Sequence, residues 1–99
     1  MKRLVFSPAA RADLVAIALY IAEDNPDRAF SFVAELEAKA HQAAERPASF
    51  PARDDVCPGL RAARHGRYLL FFRESLEEVR IVRVLHGARD LPRMITPGA

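Results

Sequence analysis

The sequence contains few of the residues that support metal, cofactor or disulfide chemistry. Of its 99 residues, one is cysteine, three are histidine, four are glycine and none is tryptophan. Cys57 alone cannot form an intrachain disulfide, which fits a reducing compartment. His41, His65 and His86 are scattered, with no cysteine or carboxylate at ligand spacing, so we expect no metal site. Neither a glycine-rich phosphate loop nor a G-x-S-x-G turn occurs, and we expect no cofactor.

Long apolar runs are also missing. No apolar segment approaches the ~20 residues that a membrane-spanning helix needs. The basic start, "MKRLVFSPAARADL", is interrupted by Arg11 and Asp13 before a stretch of signal-peptide length develops. We therefore expect no membrane association and a cytoplasmic location. The length favours a single domain over residues 1–99, because the chain is too short for two.

Lysine is absent from the second part of the chain, which is rich in arginine. Residues 1–45 contain five Lys/Arg and seven Asp/Glu, a net charge of −2, whereas residues 46–99 contain ten arginines and six acids, a net charge of +4. Arginine binds phosphates and carboxylates with two parallel hydrogen bonds. A GC-rich genome would also enrich arginine, and both explanations remain open. The asymmetry indicates only that an acidic partner would prefer the second part.

Two helices are predicted, over residues 8–23 and 26–45. Each follows a capping residue, Ser7 or Asn25, and each begins with proline, whose missing N–H is not needed at the first helical position. Because only one or two residues separate the helices, we expect them to form an antiparallel hairpin.

The first helix is apolar nearly all round. Val15, Leu19 and Tyr20 lie outside its main apolar stripe, which consists of Leu14, Ile17, Ala18 and Ile21. A helix of this kind is expected to be buried on more than one side, which a domain of this size rarely provides alone. Phe30 lies off the core stripe of the second helix and is a further candidate for contact with a partner.

The remaining segments predict a small sheet. Residues 46–59 contain three prolines and no periodicity, which is typical of a loop, and residues 87–99 read as a tail. Both alternating faces of residues 67–73 are apolar, so this strand should be central and covered on both sides. Strands are predicted over residues 2–7, 60–64, 67–73 and 79–86. The order β-α-α-β-β-β predicts an α+β domain, a helical hairpin packed on a twisted, mainly antiparallel sheet.

Arg83 is unusual among the arginines of the predicted sheet. Ile81 and Leu85 would flank it on one face, so that a charge would lie in an apolar row. Its guanidinium then pairs with an acid of the same chain, or its face is open to an acidic partner. His86, at the end of the strand, is placed either to move a proton or to bond the backbone. The arginines assigned to the sheet are Arg61, Arg64, Arg67, Arg73, Arg80 and Arg83.

Four segments together resemble the ParE branch of the RelE/ParE toxin superfamily of bacterial toxin–antitoxin modules. They are "FSPAARADL", the pattern Y-I-A-x-x-N-P-x-x-A from Tyr20 to Ala29, "LRAARHGRYLLFFR" and "VRIVRVLHGARDL". The resemblance spans residues 3–92 and implies the same fold. It also implies a cognate ParD-like antitoxin whose C-terminal segment wraps the toxin, which would account for the first helix being apolar all round.

The superfamily divides by target. The resemblance implies that ParE-like members poison DNA gyrase, whereas RelE-like members cut mRNA in the ribosome with basic residues and a Tyr, His, Glu or Lys as proton carrier. The tail after the last strand has no tyrosine, and residues 46–67 contain neither lysine nor glutamate. Only His86, Arg61 and Arg83 could form a nuclease cleft, and a second proton carrier is not assigned.

We therefore expect a non-enzymatic inhibitor of gyrase that does not bind specific DNA sequences by itself. A ribosome-dependent mRNA endonuclease is the alternative, and a binding module of another kind is a third possibility. The residues expected to contact the antitoxin are Val15, Leu19, Tyr20, Phe30 and Arg83. The residues expected to contact the target are Arg61, Arg64, Arg73, Arg83, His86 and Arg89.

Overall fold

Two helices and four strands make up most of the chain in a computed structural model, which describes residues 2–87 and 95. In chain order they are β1 (Arg3–Phe6), α1 (Pro8–Ala22), α2 (Pro26–Glu45), β2 (Arg61–His65), β3 (Tyr68–Glu74) and β4 (Glu78–His86). The predicted order β-α-α-β-β-β is confirmed. A short 3-10 helix, Pro47–Ser49, lies in the segment that was predicted as a loop.

Both helices begin at the predicted caps. The Ser7 hydroxyl accepts a hydrogen bond from the Ala10 amide at 3.0 Å, and the Asn25 side chain accepts one from the Arg28 amide at 3.1 Å. The Ser7 hydroxyl also donates to the Val82 carbonyl at 2.7 Å. The start of α1 is thereby fixed to β4 as well as capped.

The sheet has the strand order β1-β4-β3-β2, with β1 parallel to β4 and the other two pairs antiparallel. The predicted central position of β3 is confirmed. Leu70 and Phe72 pack in the core beneath the helices, whereas Leu69 and Phe71 pack in a second core on the opposite face.

Within residues 2–87 and 95, the second core is covered by the loop before β2. Cys57 and Leu60 from this loop are buried there, and so is Ile95 from the predicted tail. The other residues predicted as tail, except Gly87, lie outside the described residues, and they include Arg89. Among the described residues, no helix is long and apolar enough to cross a membrane.

A β-bulge in β4 overturns the predicted environment of Arg83. Ile81 pairs with Phe72, but Arg83 pairs with Phe71, so one extra residue is inserted into β4. The insertion shifts the alternation of faces, and Ile81 therefore lies in the core beneath the helices while Leu85 lies in the opposite core. The prediction that the two flank Arg83 on one face is wrong.

The tight turn between β2 and β3 also differs slightly from the prediction. Arg67 was assigned to the sheet, but it lies in the turn with Gly66. Gly66 has a φ of +61°, a conformation that side chains with a Cβ rarely adopt, which explains the glycine at this position.

Candidate functional site

The helical hairpin exposes large apolar side chains. Leu19 is 65% exposed and Phe30 is 81% exposed, and Val15 and Tyr20 are exposed as well. These residues remain uncovered because α1 buries only the face that carries Ala10, Leu14 and Ile17. The four apolar residues expected to contact the antitoxin are therefore accessible in this chain, and the contact itself stays a prediction.

A groove lies beside this exposed face, between α1, the start of α2 and the ends of β3 and β4. Its volume is about 940 Å³. Its apolar lining includes Ile17, Ile21 and Val84, and its polar lining includes Tyr20, Arg28, Arg67, Tyr68 and His86. We call it the hairpin groove. Its composition is suited to a segment with apolar side chains and a few acidic groups.

Arg83 is paired within the chain, which settles the alternatives that the sequence left open. Its Nε and Nη2 atoms donate to the two carboxylate oxygens of Asp13 at 2.7 and 2.8 Å. The Arg83 side chain is 21% exposed and that of Asp13 is 13% exposed. The hydrogen bonds that Arg83 donates to the Asp13 carboxylate raise the pKa of Arg83, so the guanidinium stays charged. Arg83 thus joins α1 to β4 and does not lie among the exposed hairpin residues.

A row of two histidines and a tyrosine crosses three strands beside the groove. His65 on β2 pairs with Tyr68 on β3, and Tyr68 pairs with His86 on β4. The rings of Tyr68 and His86 meet edge to face with centroids 5.5 Å apart. Phe32 from α2 contacts both His65 and Tyr68, with centroids 5.3 and 5.6 Å apart. Sequence reasoning assigned no role to His65 or Tyr68, although the tight turn at Gly66 predicts that they lie opposite each other.

Glu35 connects this row to α2. Glu35 is half-buried on α2, and its Oε1 atom lies 2.7 Å from Nε2 of His65. Arg28 donates to the same carboxylate through both terminal nitrogens. Hydrogen bonds from Arg28 and then from His65 lower the pKa of Glu35. The carboxylate of Glu35, the guanidinium of Arg28 and the imidazole of His65 therefore form one cluster at this end of the domain.

The residues expected to contact the target do not form one surface. Residues directly opposite each other in an antiparallel pair share a face. Arg61 is opposite Phe72, on the helix side, whereas Arg64 is opposite Leu69, on the other side.

Two of these arginines also bind the loop before β2. Arg61 donates to the Phe50 carbonyl at 2.6 Å. Arg73 donates to the Pro58 carbonyl at 2.8 Å and to the sulfur of Cys57 at 3.0 Å. The contacts of Arg73 fix the part of the loop that covers the second core, where Cys57 is buried. Arg64 is exposed, and Arg89 lies outside the described residues.

The three residues expected to form a nuclease cleft are not brought together. Arg61 is opposite Phe72 and His86 is opposite Tyr68, four positions apart along β3. At the usual rise of a strand this corresponds to roughly 13 Å. No group of three or more His, Cys, Asp or Glu within residues 2–87 and 95 could hold a metal ion.

These features define a class: a small α+β domain whose helical hairpin covers one face of a four-stranded mixed sheet and leaves apolar residues exposed. The family model of the ParE toxin of the type II toxin–antitoxin system, parDE, matches residues 4–91. The chain belongs to the ParE toxin family and is the toxin of a type II toxin–antitoxin system. The resemblance seen in the sequence is confirmed.

Solved structures with the same fold come from related systems. One, a chromosomal ParDE toxin–antitoxin system from P. aeruginosa, has a TM-score of 0.74 and 24% identity, covering 87% of this chain and 96% of the other. Another, the toxin–antitoxin complex RelBE2 from Mycobacterium tuberculosis, has a TM-score of 0.63 and 25% identity, covering 86% and 96%. No curated protein sequence matches the chain.

Proposed function

We propose that this toxin is neutralised by a ParD-like antitoxin bound over α1 and the hairpin groove, and that the free toxin inhibits DNA gyrase. The observation that carries the first part is the line of exposed apolar side chains beside an apolar groove. Val15 and Leu19 are four residues apart and therefore lie on the same side of α1. Several large apolar side chains exposed together beside a groove are expected to mark an interaction site.

The charges near the groove indicate which kind of segment fits. Arg67 is exposed in the turn between β2 and β3 and lies at the groove, as does Arg28. Arg28 is already paired with Glu35, so Arg67 is better placed to bind a carboxylate of the partner. We therefore assign the groove to a segment that combines apolar residues with an acidic residue, in a helical or extended conformation. Both solved relatives come from toxin–antitoxin systems, and this supports an antitoxin as the partner.

The gyrase target is supported by family membership and by the position of the arginines. The family model that matches is that of the ParE toxin. The resemblance seen in the sequence implies that ParE-like members act on gyrase. Arg83 is engaged by Asp13, and Arg61 on β2 and His86 on β4 pair with positions of β3 that are four residues apart. The three candidates for a nuclease cleft therefore lie apart, which supports the gyrase target.

Cleavage of mRNA is the second candidate, and one observation favours it. His86 has a second possible proton carrier nearby in Tyr68 or His65, which the sequence did not reveal. General acid–base cleavage of RNA needs two such groups and a means of binding the phosphate. His65 and Tyr68 are half-buried against Phe32, which favours a structural role for both.

Expression of the toxin without antitoxin separates the two candidates. We expect an SOS response and filamentous cells, because inhibition of gyrase damages DNA. Co-expression of the antitoxin is the matched control and should restore growth. An immediate stop in translation without an SOS response would contradict the gyrase proposal and support cleavage of mRNA.

A further inference from the structure

The turn that joins β3 to β4 carries the most exposed large apolar side chain within residues 2–87 and 95. Leu76 is 90% exposed, more than any of the exposed residues of the helical hairpin. A single exposed leucine is ordinary on a protein surface. Leu76 differs because the turn that carries it is held rigidly and is surrounded by acids.

The turn is closed by its own hydrogen bonds. The Ser75 amide donates to the Glu78 carbonyl at 2.8 Å. The Ser75 hydroxyl lies 3.3 Å from both the carbonyl and the amide of Glu78. These bonds span the base of the turn and fix the direction in which Leu76 projects.

Lys2 and Arg3, at the start of the chain, also bind the turn. The Lys2 ammonium donates to the Glu74 carboxylate at 2.7 Å and to the Ser75 carbonyl at 2.6 Å. The Arg3 amide donates to the Glu77 carbonyl at 3.0 Å. The backbone that carries Leu76 is therefore already ordered and loses little conformational entropy when a partner binds, which lowers the cost of binding.

The surroundings of Leu76 are acidic. Glu74, Glu77 and Glu78 flank it in sequence, and a shallow depression of about 580 Å³ beside it is lined by Glu45 and by Lys2, whose charge is balanced by Glu74. Glu74 and Glu78 form ion pairs, whereas Glu77 forms none within the part of the chain that the structure describes. The chemistry fits a partner with an apolar pocket edged by lysine or arginine.

We propose that this turn, residues 74–78, is a second docking surface and that it contacts the target of the toxin. The inference rests on the proposed function, in which the target is gyrase. A protein that handles DNA presents basic surface to the phosphates, and an acidic turn with an apolar tip complements such a surface. The arginines first expected to contact the target are divided between both faces of the sheet, and three of them bind other parts of the domain.

The turn and the hairpin groove lie at opposite ends of the sheet. Tyr68, beside the groove, pairs with His86, whereas Glu74, at the turn, pairs with Val79. The two positions are six residues apart on β3, which corresponds to roughly 20 Å. A segment bound in the groove therefore leaves Leu76 uncovered, and substitutions at Leu76 separate binding of the target from binding of the antitoxin.

The test compares the variant Leu76→Ser with wild type and with the control Ala38→Ser, an exposed position on α2. Inhibition of DNA supercoiling by purified gyrase and affinity for the cognate antitoxin are both measured. We expect Leu76→Ser to need at least about 30-fold more toxin for half-inhibition, as for a dominant interface residue. Its affinity for the antitoxin should stay within about twofold of wild type, since an exposed side chain contributes little to the fold.

The possible outcomes are distinct. If wild type inhibits gyrase and Leu76→Ser inhibits it equally well, the docking proposal is wrong while the proposed function stands. If Leu76→Ser loses antitoxin affinity as strongly as inhibition, the turn is not a separate surface. If wild type does not inhibit gyrase at all, the proposed target and this inference both fail.

Discussion

Asp13 and Arg83 join α1 to the part of β4 that extends beyond β1. The pairing of β1 with β4 ends at Ile81. Past that point, the Asp13 carboxylate receives the two bonds from Arg83 and a third from the Val84 amide at 2.9 Å. The Asp13 carboxylate therefore accepts the hydrogen bond that the Val84 amide would donate to a neighbouring strand. It also neutralises the half-buried charge of Arg83.

The variant Asp13→Ala should destabilise the domain by about 2–3 kcal/mol. It leaves the Arg83 charge and the Val84 amide without their acceptor, and the cost of breaking a fully buried pair is reduced by the residual exposure. Urea unfolding followed by circular dichroism measures the change. Asp24→Ala, at an exposed position between the helices, is the matched control and should change stability by less than about 0.5 kcal/mol. Equal stabilities of the two variants would show that the Asp13 pair contributes nothing.

The variant Leu19→Glu should weaken the complex with the antitoxin by about 2–3 kcal/mol. The substitution places an unpaired charge in the centre of the proposed apolar interface. Titration calorimetry with the cognate antitoxin provides the measurement. The variant Gln42→Glu introduces the same side chain at an exposed position on α2 and should bind normally. An unchanged dissociation constant for Leu19→Glu would refute the proposed interface.

The variant His86→Gln should retain most of the toxicity. If the toxin inhibits gyrase, His86 serves to pack against Tyr68, and glutamine keeps much of the volume and the capacity for hydrogen bonds. Loss of a proton carrier in a nuclease would instead lower the rate by ~10²–10⁴-fold. Colony survival after induction is the readout, with antitoxin binding as the measure of folded protein. A folded His86→Gln variant without toxicity would favour cleavage of mRNA.

The Arg83→Ala variant should reduce toxicity because it lowers the stability of the domain. The sequence suggested that this substitution removes a charge from a docking face. The structure indicates that it removes the partner of Asp13. We therefore expect the lost toxicity to follow the lost fraction of folded protein, measured by antitoxin binding. A stable and inactive Arg83→Ala variant would instead return Arg83 to the docking surface.

The contribution of Glu35 to stability should depend on pH. Its pKa in the folded protein is lowered from the ordinary value of 4.5, first by Arg28 and then by His65. The stabilisation is therefore fully present above pH 4.5 and is lost as the pH falls through the lowered pKa. The difference in unfolding free energy between wild type and Glu35→Gln should be larger at pH 7 than at pH 3. Ala38→Ser, at an exposed position on α2, removes no titrating group and is the control, and an equal pH dependence of the two variants would contradict the assignment.

Local patterns in the sequence predicted much of the fold. The caps at Ser7 and Asn25 and the prolines after them fixed where the helices begin. The apolar alternation on both faces of residues 67–73 predicted that β3 is central. The surplus apolar residues of α1 predicted the exposed surface, because a helix on one side of a sheet can bury only one face.

The remaining features depend on residues that are distant in sequence. The bulge in β4 requires knowledge of the register with β3, and it changed the environment of Arg83. The partner of Arg83 is 70 residues away, and that of His65 is 30 residues away. Neither pair can be identified from spacing along a single chain. The rigidity of the turn at Leu76 likewise depends on Lys2, 74 residues earlier.

The supercoiling activity of purified gyrase in the presence of this toxin tests the central claim most directly. Gyrase, relaxed plasmid and ATP are incubated with increasing toxin, and the cognate antitoxin is then added in equal amount. The proposed function predicts that the toxin inhibits supercoiling and that the antitoxin restores it. In a second assay, the same toxin is added to purified ribosomes that translate an mRNA, and the mRNA should stay intact. Unaffected supercoiling together with cleavage of the mRNA on the ribosome would contradict the account.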